Sequence, residues 1–170
     1  EAIERFRVER KVPKGELIQA YGYDENAMPD GRLLNRDDLD QAFPDNPVLV
    51  GHVSMHGGVL NSAALAKFGI SAATKTPPGG VIVRKPGTSE PYGLIMETAW
   101  LPVFDALPKP TREQETDLSR AAQRLYAEAG VTLAHEGATH ADELEVMQRA
   151  AASGANTIEV GHEGMHHDID

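Results

Sequence analysis

TREQETDLSRAAQRLYAEAGVTLAHEGATHADELEVMQRAAASGANTIEV, residues 111–160, alternates between a helical and an extended pattern. Thr111 and Gln114 have the spacing of a capping box, in which the threonine hydroxyl accepts from the backbone N–H three residues on and the glutamine reaches back. Behind the box, Leu118, Ala121, Ala122, Leu125, Tyr126 and Ala129 share one helical face, and Gly130 stops the helix. Val131–His135 is a short apolar strand. Asp142–Ser153 is a second helix, with Leu144, Met147 and Ala151 on one side and Gly154 after it, and Thr157–Val160 is a second strand. Helix, strand, helix, strand at this spacing is a β-α-β crossover with a helix before it. Such crossovers join parallel strands, so the predicted fold class is α/β.

The chain upstream of Pro108 reads differently. Residues 1–11 suggest a short helix ending before Pro13, with Ile3, Phe6 and Val8 as its apolar stripe. Leu17–Tyr21 is a strand. Residues 22–35 hold turn combinations, Pro29-Asp-Gly31 among them, and read as a loop. Asn35 caps a helix over Arg36–Ala42. Val48–Val53 is a strand by its β-branched content. Ser62–Phe68 is a helix that stops at Gly69. Val81–Arg84 and Tyr92–Met96 flank Pro86-Gly-Thr-Ser-Glu-Pro91 and form a hairpin with a long loop. Trp100, Leu101, Val103 and Phe104 pack in the core before a proline-rich joint. The predicted organisation is a mixed α+β part with a β-hairpin over 1–110 and an αβαβ part over 111–170.

Bulk properties narrow the function. The chain has 170 residues, net charge −10 and a pI near 5.1. A nucleic-acid role is disfavoured, because phosphate binding needs a basic face. There is no cysteine, hence no disulfide and no thiolate zinc site. No apolar run approaches the ~20 residues of a membrane span, and no signal peptide is visible. A cytoplasmic protein is expected.

Several residues could carry chemistry. His56 ends a β-rich run and precedes Gly57 and Gly58, which remove side chains where a ligand or another backbone must come close. A histidine there either binds a substrate or metal or is a satisfied histidine beside a turn. Glu97 follows the second hairpin strand. His135-Glu136-Gly137 and His162-Glu163-Gly164 lie at the ends of the two predicted parallel strands, where α/β proteins bind ligands. They either point into one site or coincide by chance. His162-Glu163-Gly164-Met165-His166 also matches the H-E-x-x-H zinc-peptidase pattern. That pattern needs a helix, and the glycines and the preceding strand argue against one.

A set of segments in order gives a resemblance. They are Tyr23-Asp24-Glu25-Asn26, then Arg36-Asp37-Asp38-Leu39-Asp40 leading to Pro44-Asp45-Asn46-Pro47-Val48. His56 with Asn61-Ser62-Ala63-Ala64-Leu65 and Gly69-Ile70 follow, and then Pro77–Ile82, Tyr92–Glu97 and Ala129–Thr132. Over Gly22 to about Thr139 the chain resembles the amidohydrolase superfamily, in the metal-dependent branch that includes N-substituted formamide deformylase. The resemblance implies a hydrolase of non-peptide carbon–nitrogen bonds, with an amide-like small-molecule substrate and a divalent metal, zinc. It implies part of a (β/α)8 barrel, because a whole one needs about 250 residues. Residues 1–110 would be the insertion after the first barrel strand, and residues 111–170 would contribute barrel strands and helices. His56, Asn61, Glu97 and Glu136 would face the substrate. The superfamily's H-x-H pair, carboxylate or carboxylated lysine, later histidines and late aspartate have no matching position here. The chain alone is therefore expected to be an inactive fragment whose open strand edges favour self-association. The alternative is a small non-catalytic module, either structural or binding metal through His135, His162 and His166, with His140 and His167 nearby.

Overall fold

Leu49, Leu60 and Ile95 line one face of a five-stranded sheet, and Val48, Val50, Val59 and Leu94 line the other. Both faces are covered, so the central strands are apolar on consecutive residues rather than alternating ones. In this computed structural model the described residues are 1–28, 31–154 and 156–164, with Ala138 and residues 162–164 described by their backbone alone. The chain divides into two units, Glu1–Leu107 and Pro108–Asp170.

The first unit begins with α1 (Ala2–Glu9), of which only Ile3 packs on the core while Phe6 and Val8 stay exposed. Its strands are β1 (Ile18–Tyr23), β2 (Val48–His52), β3 (Gly57–Leu60), β4 (Gly80–Arg84) and β5 (Pro91–Glu97), in the order β1-β2-β3-β5-β4. β1 and β2 are parallel, and every other pairing is antiparallel. A short 3-10 turn (Glu25–Ala27) follows β1, with Asp24 as its cap. Helix α2 (Arg36–Ala42) lays Leu39 against the Val48–Val59 face. Helix α3 (Ser62–Lys67) and the short α4 (Leu101–Asp105) put Leu65 and Val103 on the Leu49–Ile95 face. Trp100 is buried with them, whereas Leu101 and Phe104 remain half exposed, so only part of the expected apolar cluster enters the core.

The strand Gly57–Leu60 adds to the elements expected from the sequence, which place no strand between Val53 and Ser62. A Cβ on Gly57 would meet the backbone of Ile95 and Met96, and one on Gly58 would sit 2.8 Å from the Trp100 ring and 2.9 Å from Val50 O. What comes close at these glycines is another strand and the core tryptophan, not a ligand.

Asn61 follows β3 and is 1% exposed. Its Oδ1 accepts from Val48 N and Ala64 N, both at 2.9 Å. Its Nδ2 donates to Asn46 O at 2.8 Å and Phe43 O at 3.3 Å. One buried amide therefore caps α3, starts β2 and holds the loop between α2 and β2.

The second unit contains α5 (Arg112–Glu128), β6 (Leu133–Thr139), α6 (Ala141–Ala152) and β7 (Glu159–Gly164). β6 and β7 are parallel and joined through α6, the β-α-β crossover expected. The Thr111–Gln114 capping box is present in both directions. The buried residue of α5 is Gln123, which takes Thr157 N at 2.9 Å and gives to Asn156 Oδ1 at 3.2 Å. Leu118, Leu125 and Tyr126 of the expected stripe are exposed. The two units are thus a mixed α/β arrangement, and no closed barrel occurs among the described residues.

Two substitutions test this packing, with urea unfolding followed by emission of the single tryptophan, Trp100. Gly58→Ala pushes a methyl into the Trp100 ring and is expected to lose about 1–3 kcal/mol and shift the emission. Asn61→Ala strands buried backbone groups and is expected to lose about 2–4 kcal/mol. Unchanged midpoints would contradict both accounts.

Candidate functional site

Strand direction brings separated residues to one end of the first unit's sheet. The parallel strands β1 and β2 end there at Tyr23 and His52, which are register partners. β3 starts there at Gly57, β5 ends there at Glu97, and β4 starts there at Gly80. The carboxyl ends of parallel strands are where open α/β sheets bind ligands.

Residues 53–56 turn β2 into β3 and carry His56. The imidazole Nδ1 lies 3.2 Å from both carboxylate oxygens of Glu97. The backbones are joined as well, with Glu97 N donating to His56 O at 2.8 Å. Both side chains are open to solvent, at 63% and 47% relative exposure. Met55 (φ 66°) and Glu97 (φ 56°) adopt left-handed backbone conformations. That region costs a residue with a Cβ roughly 1–2 kcal/mol, and such strain gathers at ligand sites. A carboxylate holding Nδ1 leaves Nε2 of His56 as a proton donor or acceptor for a ligand. His56 and Glu97, both singled out in the sequence, are thus brought together.

Beside them is a second group. Nε2 of His52 lies 2.7 Å from Glu25 Oε2, and its Nδ1 lies 2.7 Å from Ser54 Oγ. Ser54 N also donates to Nδ1 at 3.1 Å, so Nδ1 is the acceptor and Nε2 carries the proton toward Glu25. The ring stands edge-on to Tyr23, with centroids 5.5 Å apart. Burial pushes the Tyr23 hydroxyl upward in pKa. Asp24 Oδ1 accepts from the backbone and side-chain amides of Asn26, which hold this carboxyl below its ordinary range. Glu25 is lowered first by its own backbone N–H and then by His52. Among the described residues, Asp24, Glu25 and His52 are the group able to hold a metal, with ligand atoms within 4.8 Å of one another. Glu25, His52 and Ser54 were not singled out as site residues. The available signal was positional, since residues just past two parallel strands share one sheet end.

The remaining site residues fall elsewhere. Asn61 is a correction, because its amide is buried and all its hydrogen-bonding capacity serves the backbone, which leaves nothing for a substrate. His135 and Glu136 belong to the second unit and border a cleft of about 380 Å³ with Gln123, Tyr126 and Met147. They do not end a strand, since β6 continues to Thr139. The two His-Glu-Gly triplets are staggered as well, because His135 pairs with Gly161 and Glu136 with His162. Residues 162–164 lie in β7, which removes the helix that an H-E-x-x-H zinc site needs. His166 and His167 lie outside the described residues. Among the described residues His135 belongs to no group able to hold a metal.

The amidohydrolase family model matches residues 1–170. YtcJ of Bacillus subtilis is 34% identical over 164 residues, covering 94% of this chain and 31% of that protein. N-substituted formamide deformylase of Arthrobacter pascens is 31% identical over 174 residues, covering 98% of this chain and 31% of that protein. An uncharacterised metal-dependent hydrolase from Pyrococcus horikoshii OT3 shares the fold with a TM-score of 0.52 at 20% identity, over 95% of this chain and 31% of its own. The chain therefore spans about a third of the length of the relatives it matches. On the match along its whole length, this chain belongs to the amidohydrolase family.

Proposed function

We propose that the chain is part of a metal-dependent hydrolase that cleaves a non-peptide carbon–nitrogen bond of a small amide-like substrate, with its first unit forming a substrate-facing wall. The observation that carries this is the His56–Glu97 pair, held at one sheet end beside two left-handed backbone residues. The name of the deformylase relative supports the carbon–nitrogen bond, and the description of the Pyrococcus hydrolase supports the metal. The second unit suits a β-α-β piece of a (β/α)8 barrel, since β6, α6 and β7 form one parallel crossover.

The metal in this reading is zinc, which when bound would supply an activated water for attack on the amide-like carbon. No H-x-H pair occurs in the 170 residues, so that part of the family's metal centre has no counterpart here, and the chain by itself is read as inactive. The role of this segment is to hold the substrate. His56 Nε2 reaches a polar group of the substrate, while Glu97 keeps the ring oriented and accepts the Nδ1 proton. Exposed Met55 and Val53 flank the pair with apolar surface. No helix among the described residues is long and apolar enough to cross a membrane.

In a full-length family enzyme carrying this segment, His56→Ala is expected to lower kcat/KM for an N-substituted amide about 10–100-fold with unchanged thermal stability, and Glu97→Gln to lower it less. Unaltered kinetics in both variants would remove the wall from the reading. Cleavage of esters but not amides would remove the carbon–nitrogen assignment. For the chain alone, exposed Leu118, Leu125, Tyr126 and Leu133 and the open edges of a two-stranded sheet support pairing with a second copy. Sedimentation is expected to show a concentration-dependent dimer, and a monomer at all concentrations would reject that pairing.

A further inference from the structure

We infer that Asp24, Glu25 and His52 form a divalent transition-metal site in the first unit, with Ser54 as the group that orients its histidine. This does not rest on the hydrolytic reading above, because it concerns binding by residues at the ends of β1 and β2 alone.

Three features favour an ion over a simple polar cluster. The donor set is one imidazole nitrogen and two carboxylates, which suits zinc or manganese and matches the charge of a dication. Its atoms lie within 4.8 Å of one another on backbone fixed by neighbouring strand ends. Two ligands on one zinc stand roughly 3.4 Å apart at ordinary bond lengths, so the side chains need only small rotations to close on it. Asp24 uses Oδ1 to cap the 3-10 turn, which leaves Oδ2 for the ion.

His52 is prepared in a way that His56, His135 and His140 are not. Its ring is fixed edge-on to Tyr23 and is only 17% exposed in its side chain. Without metal, Nε2 gives its proton to Glu25 and Nδ1 accepts from Ser54 N. A metal on Nε2 takes the position of that proton, and the ring proton moves to Nδ1. Ser54 Oγ, 2.7 Å away, then accepts it. A hydroxyl can donate or accept, so it serves both tautomers, whereas the Ser54 N–H contact must loosen. Metal-binding histidines commonly carry such a partner on the other ring nitrogen.

The test is a zinc titration of the dialysed full chain, read by nitrogen-15 spectra of the histidine rings. The ring spectra separate His52 from the histidines at 162, 166 and 167. The expected result is one equivalent bound at micromolar or tighter affinity, with His52 converting to the Nδ1–H tautomer. Glu25→Gln and Asp24→Asn should each weaken that binding at least 10-fold, and Ser54→Ala less, while the circular dichroism of all three stays that of the parent. Unmoved His52 resonances at saturating zinc, or an affinity unchanged in Glu25→Gln, would overturn the site.

Discussion

The first unit depends on one buried side chain, the amide of Asn61. Four backbone groups from three places converge on it: the start of β2, the first turn of α3 and the loop after α2. Each neutral hydrogen bond is worth only about 0.5–1.5 kcal/mol net, but a buried group left unpaired loses its hydration with nothing in return. The asymmetry makes this position strict. Asn46 extends the same device, its Nδ2 donating to Pro13 O and Glu16 O and so fixing the chain ahead of β1. Two asparagines thereby align β1 with β2. That alignment, one parallel pair in an otherwise antiparallel sheet, sets Tyr23 beside His52.

The polar end of the sheet follows from this geometry. The strands β2 and β5 stay largely apolar until their last residues, His52 and Glu97, and chemistry can occur only where the sheet runs out of cover. His56 and Glu97 meet because Gly57 lets β3 run hard against β5. A larger residue at position 57 would push the strands apart, and the hydrogen bond from Glu97 N to His56 O would lengthen with them. The left-handed conformations at Met55 and Glu97 are tolerated because the neighbouring ladders over-determine the backbone there.

Local capping signals were the most legible part of the sequence. Asn35, Asn61 and Thr111 each begin a helix where the pattern placed it, because a cap is decided by a few adjacent residues. The hairpin of β4 and β5 and the crossover of β6 and β7 were legible for a similar reason. The strand β3 was not. Two glycines have weak strand propensity, and only the distant Trp100 and β5 explain why no other residue fits. The helix α5 was legible too, but not which of its residues is buried. The Leu118–Leu125 stripe is exposed in this chain, and Gln123 is the buried residue, its amide satisfied by Asn156 and Thr157. The site was half legible, since His56 and Glu97 announce themselves beside glycines and a strand end. Glu25, His52 and Ser54 gain meaning only from the register of β1 on β2.

The histidines at 52 and 56 share one turn yet stand in opposite circumstances. His52 is the last residue of a strand, with both ring nitrogens engaged and a tyrosine against its ring. His56 has left the sheet and is held at one nitrogen only, by a carboxylate across the turn. Ser54 connects them. Its hydroxyl meets Nδ1 of His52 and also accepts from the backbone N–H of His56 at 3.3 Å. The carbonyl of His56 in turn holds Glu97. A change of protonation or ligation at His52 thus reaches the His56–Glu97 pair through single neutral hydrogen bonds. Such a link transmits no more than its own worth, about 0.5–1.5 kcal/mol, or roughly a twofold to twelvefold change in affinity. The two groups are therefore tuned by each other but neither is switched by the other, and each keeps its own chemistry.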